Sequence, residues 1–140
     1  KICEEFVMLK KILPYSLILF SSAAFAEQNP LSVHVLNLEN GLPSANVEVV
    51  LEKSSGDQWI KLNQKLTGEN GRITALYPEN KSLEKGIYKV TFKTEAWFNQ
   101  QKQQTFFPEV PVIFKVDGTV KHYHIPLLLS PYGYSTYRGN

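Results

Sequence analysis

His122-Tyr-His-Ile-Pro-Leu-Leu-Leu-Ser-Pro-Tyr-Gly-Tyr-Ser-Thr-Tyr-Arg-Gly-Asn140 is the stretch whose reading decides the fold. Two runs of strand-forming side chains flank Ser130-Pro131-Tyr132-Gly133, a turn-forming cluster, which predicts a β-hairpin. Side chains alternate along a strand, so Tyr123, Ile125, Leu127 and Leu129 share one face and supply a core stripe. His122, His124, Pro126 and Leu128 share the other. Two imidazoles beside a proline and a leucine suit neither a core nor an ordinary wet surface. Tyr137, Arg138 and Asn140 extend the polar character beyond the hairpin. The combination points to a site.

Working outward, the 140 residues are 43% hydrophobic and 20% charged, ordinary for one globular domain. A net charge of +2 without a basic stripe argues against nucleic acid as a partner. Lysines alternate with apolar residues in Tyr88-Lys89-Val90-Thr91-Phe92-Lys93, as on a solvated strand.

The beginning of the chain has a different logic. Met8-Leu9-Lys10-Lys11 is a short positive start, Ile12 to Phe20 is apolar, and Ala24-Phe25-Ala26 is an A-x-A cleavage pattern. These features predict a signal peptide over residues 1–26, with residues 1–7 preceding a plausible initiator at Met8. The apolar run is too short for a stable transmembrane helix. The expected mature protein is a single domain of residues 27–140, exported to the periplasm and free of the membrane. Cys3, the one cysteine, lies in the leader, so no disulfide is expected.

From Leu31 onward the pattern is strand after strand. Leu31, Val33 and Val35 face one way, and Ser32, His34 and Leu36 the other. Asn37 to Pro43 reads as a loop, Ala45 to Lys53 and Trp59 to Lys65 as strands, and Arg72 to Leu76 as a short strand after the Gly68 to Gly71 turn. Pro78 to Lys85 is a polar loop and Gly86 to Thr94 a strand. Glu95 to Gln104 has helical composition, and Phe106 to Val116 is a strand with prolines at its start. Seven or eight short strands with one short helix predict an all-β, antiparallel two-sheet β-sandwich.

Several chemistries find no support. There is no Gly-rich phosphate loop, no Cys-based zinc pattern and no G-x-S-x-G elbow. His34 with His122 and His124 could offer three imidazoles to zinc, but H-x-H is common by chance and no acidic partner accompanies it. The expectation is therefore no metal. Taken singly, His34 and Arg72 read as solvated side chains, and His122, beside Lys121 at a strand start, likewise. His124 is different, because Pro126 and Leu128 on its face imply a covered environment.

L-S-V-H-V-L-N from Leu31, G-R-I at Gly71, G-I-Y-K-V from Gly86, and the His122–Gly139 stretch together resemble the 5-hydroxyisourate hydrolases. These form the enzymatic branch of the transthyretin-like family. The resemblance covers Leu31 to Asn140. Where transthyretin has Lys, Glu and Thr at three central positions, this chain has His34, Arg72 and His124, the pattern of the hydrolase branch. The family typically ends Tyr-Arg-Gly-Ser, whereas Asn140 stands here, and an amide cannot relay a proton as a hydroxyl can.

The resemblance implies a transthyretin-like sandwich assembled as a homotetramer, a dimer of dimers with active sites in the channel between dimers. It implies hydrolysis of 5-hydroxyisourate to 2-oxo-4-hydroxy-4-carboxy-5-ureidoimidazoline in purine catabolism, without a cofactor. His34 or His124 would activate water, Arg72 would hold the ring, Tyr137 would contact it, and Arg138 and Asn140 would line the site. The rival is a transthyretin-like module that binds a small ligand without turnover.

Overall fold

The computed structural model describes residues 26–140; the expected signal peptide, apart from Ala26, lies outside the described residues. Nine strands and one helix follow in chain order. They are β1 (Leu31–Asn37), β2 (Leu42–Pro43), β3 (Glu48–Ser55), β4 (Gln58–Leu66), β5 (Arg72–Ile73), β6 (Gly86–Phe92), α1 (Thr94–Gln100), β7 (Val110–Val116), β8 (Tyr123–Ser130) and β9 (Gly133–Thr136).

Two sheets result. One runs β2-β1-β8-β9 with β5 also paired to β1, and the other runs β4-β3-β6-β7. Alternation along each strand sends one set of side chains between the sheets. Val33, Val35, Leu127 and Leu129 from the first meet Val49, Leu51, Tyr88, Val90 and Phe92 from the second, all buried. Each such side chain stabilises the fold by roughly 1.5–3 kcal/mol relative to exposure. The two-sheet all-β sandwich expected from the sequence is the architecture observed. One pairing departs from the antiparallel expectation: β1 and β8 run parallel, Leu31 opposite Tyr123 through Asn37 opposite Leu129. Strands so far apart in the chain need no hairpin between them, so local turn chemistry says nothing about their direction.

Element ends differ from expectation for identifiable reasons. The helix stops at Gln100 rather than Gln104, because Lys102 takes a left-handed φ of 56°. Lys102 N–H then donates to the Asn99 carbonyl and Gln103 N–H to that of Phe98, a Schellman closure. α1 buries Thr94, Trp97 and Phe98, an i, i+3, i+4 stripe, against the core. β7 begins at Val110 rather than Phe106. The residues between are tied elsewhere, with Phe106 N–H on the Pro131 carbonyl and Glu95 N–H on that of Pro108. The expected strand Arg72 to Leu76 pairs only over Arg72–Ile73, and Leu42–Pro43 inside the expected loop adds two residues of strand against β1.

Candidate active site

The outer face of the first sheet carries the polar residues the core cannot take. Parallel pairing sets Ser32 opposite His124 and His34 opposite Pro126, while β5 sets Arg72 opposite His34. Arg72 reaches that place through a tight turn. Gly71 has φ 72°, and a Cβ there would lie 2.5 Å from the Val35 carbonyl oxygen, so only glycine lets the chain come this close to β1. The Gly71 carbonyl accepts from Val35 N–H at 2.8 Å, and Asn70 Oδ1 accepts from Arg72 N–H at 3.0 Å.

His34, Arg72 and His124, the three candidates singled out in the sequence, therefore share one face. Both imidazoles are held below the usual histidine range. For His124 burial is the largest cause, followed by the Arg72 guanidinium, His122 and His34. For His34 burial again leads, then Arg72, with the Asn70 backbone opposing. Both are thus neutral proton acceptors near pH 7. His34 Nε2 is buried without a hydrogen-bond partner among the described residues. The ion pairs of the described residues, Lys53–Glu84, Lys89–Glu52 and Lys93–Glu109, do not include Arg72. Its planar fork of donors is therefore available to an anion.

Behind His124 lies a chain of contacts that the sequence did not reveal. Ser32 Oγ is 2.6 Å from His124 Nδ1 and 2.9 Å from His122 Nε2, and His122 Nδ1 is 2.8 Å from the Asn29 carbonyl oxygen. The two imidazoles lie nearly parallel, 17° apart with centroids at 6.5 Å. His122 is thus half-buried and engaged rather than solvated. Ser32 is buried, although a serine between strand valines and leucines gives no sign of it. The one available signal was that His122 and His124 share a face.

On its other flank His124 meets Gly139, whose N–H donates to the His124 carbonyl at 2.9 Å. A Cβ at Gly139 would sit 2.5 Å from His124 Cδ2 and 3.0 Å from Pro126 Cγ, so the ring occupies the space a side chain would need. Tyr137 and Arg138 line a cleft of about 260 Å³ with Val112, Phe114, Tyr123 and His124, where the β7 and β9 edges meet. The Arg138 guanidinium stands 5.7 Å over the Tyr123 ring, a residue that alternates to the core side of β8. Asn140 is exposed. Among the described residues no three His, Cys, Asp or Glu side chains are grouped to hold a metal ion.

Comparison with known proteins shows the family of the chain. Residues 31–139 match the family described as HIUase/Transthyretin. A 5-hydroxyisourate hydrolase of Salmonella dublin is 52% identical over 118 residues, 84% of this chain and 86% of that protein. The mouse 5-hydroxyisourate hydrolase is 35% identical over 81% of this chain and 98% of its own length. Among solved structures, the Klebsiella pneumoniae 5-hydroxyisourate hydrolase superposes with a TM-score of 0.70 at 32% identity, covering 80% of this chain and 99% of that one. Transthyretin from Sparus aurata gives 0.73 at 29% identity, covering 79% and 96%. Backbone similarity alone does not separate the two kinds of relative.

Proposed function

The chain belongs to the HIUase/transthyretin family, and we propose that it is a 5-hydroxyisourate hydrolase. Its reaction is the hydrolysis of 5-hydroxyisourate to 2-oxo-4-hydroxy-4-carboxy-5-ureidoimidazoline, a step of urate breakdown. The observation that carries this reading is the shared face of His34, Arg72 and His124, with both imidazoles held below the usual histidine range and the guanidinium without a carboxylate partner among the described residues. A neutral His124 or His34 takes a proton from water, a contribution of about 10²–10⁴-fold. Arg72 holds the anionic ring and stabilises the oxyanion as it develops. Tyr137 contacts the ring, Asn140 borders the site, and Arg138 stands in the adjoining cleft, over Tyr123. No cofactor enters this scheme.

We propose the homotetramer on two grounds. Tyr132, Tyr134, Tyr137, Leu38 and Leu42 are exposed, and β7 and β9, which border one cleft, each end a sheet with one side unpaired in the ladder. Export with cleavage after Ala26 is proposed on the Lys10-Lys11 and Ala24-Phe25-Ala26 pattern. Mass spectrometry of the native protein tests it, and a species beginning at or before Met8 would refute it.

The decisive experiment follows the absorbance decay of freshly made 5-hydroxyisourate with and without the protein. Acceleration supports the hydrolase. Saturable binding without turnover would favour the ligand-binding alternative.

A further inference from the structure

The contacts behind His124 have a direction, and one fixed point sets it. The Asn29 carbonyl can only accept, so His122 Nδ1, 2.8 Å away, carries a proton. In the neutral ring His122 Nε2 is then a bare acceptor, and Ser32 Oγ donates to it at 2.9 Å. The hydroxyl has no second proton to give. At 2.6 Å from His124 Nδ1 it therefore accepts, and the proton of that ring sits on Nδ1. His124 Nε2 is left as a lone pair.

We propose that Ser32 and His122 are positioning residues that hold His124 as its Nδ1–H tautomer, so that Nε2 meets the attacking water as a base. The proposal rests on the hydrolase reading and sharpens it by choosing His124 over His34 as the proton acceptor. Neither positioning residue touches the reacting atoms. The hydrogen bond at one imidazole nitrogen decides which form the other takes, and a neutral ring without that bond presents either form. Placement follows from the fold. Parallel, in-register pairing brings Ser32 opposite His124, and two-residue spacing brings His122 onto the same face. Gly139 leaves room for the ring on the far flank.

The test pairs kinetics with long-range ¹H–¹⁵N spectra of the full chain, whose three histidines make assignment simple. The wild type is expected to show His124 protonated at Nδ1 near neutral pH. Ser32→Ala should move His124 toward the Nε2–H form and lower kcat about ten- to hundredfold with KM within about twofold. Ser32→Thr, which restores the hydroxyl on a strand-compatible side chain, should recover kcat to within about threefold of wild type. His122→Phe should cost several-fold in kcat with KM within about twofold and move His124 part of the way toward the Nε2–H form. A wild-type His124 protonated at Nε2 would overturn the proposal, as would a Ser32→Ala enzyme with unchanged kcat and tautomer. Should the wild type not turn over 5-hydroxyisourate, the hydrolase reading alone would fail, because the spectra still decide the tautomer.

Discussion

On the outer face of the β4-β3-β6-β7 sheet, Lys89 stands 3.5 Å from Glu52 and 4.4 Å above the Trp59 ring. On the outer face of the other sheet, Arg72 has no carboxylate within reach among the described residues, and its neighbours are imidazoles. The two faces arise from the same strand alternation over one shared core. One balances its charge within the molecule and the other leaves a cation and two neutral bases together. The contrast shows where an anion would be welcome, and it shows that fold alone does not say so, since a transthyretin superposes as well as a hydrolase does.

The comparison breaks most sharply by substitution. Replacing His124, Arg72 or His34 with Ala should lower kcat/KM at least about tenfold, and up to the ~10²–10⁴-fold typical of a lost general base. Lys89→Ala on the opposite face should change it by less than about twofold, since its half-buried pair with Glu52 lies across the core from the imidazoles. Equal losses from both faces would show that the imidazole face is not the site. Next comes Gly139→Ala. Its Cβ would meet His124 Cδ2, so the ring must shift, and kcat should fall about tenfold as a misplaced catalytic group predicts. Wild-type kcat in the Gly139→Ala enzyme would mean the His124 ring is free to move.

A smaller effect concerns pH. His34 and His124 bind protons less tightly folded than unfolded. Between their lowered folded values and 6.5 the unfolded chain therefore holds more protons, and stability falls as pH drops through that window. The urea midpoint should decrease from about pH 7.5 to about pH 5.5, and less so in a His34→Ala, His124→Ala double variant. Arg72→Gln removes one cause of the lowering and should move the acid limb of activity upward. The smallest effect is expected at Asn140→Ser, which restores the family's terminal serine. With a base and charge stabilisation already present, kcat should change by less than about threefold; a tenfold rise would instead assign the hydroxyl a proton-relay role.

Much of this was legible because strand alternation is local. Val33 and Val35, or Leu127 and Leu129, declare their core face by spacing alone, and all four are buried. What was not legible required knowing which strand lies beside which. Ser32 looks like any outward serine until β8 is placed parallel to β1 in register, and His122 looks solvated beside Lys121 until Ser32 and the Asn29 carbonyl are in view. The end of α1 was missed for a related reason. Gln101 to Gln104 are good helix formers, and the left-handed turn at Lys102 belongs to the closure, not to propensity. His34, Arg72 and His124 were identifiable as a set only through their likeness to a family, because nothing in their spacing brings them together.

The parallel pairing of β1 with β8 also bears on how the protein comes to be active. Ser32 and His124 are 92 positions apart, so their strands meet only after nearly the whole sandwich sequence between them has been gathered. Closing a loop of that length costs entropy before any contact rewards it, and topologies rich in such pairings fold in about milliseconds to seconds rather than microseconds. A half-folded chain holding only the β3-β4-β6-β7 sheet would contain none of the three candidate side chains in place. Turnover is therefore tied to completion of the fold, and regain of activity on refolding should coincide with burial of the core rather than precede it.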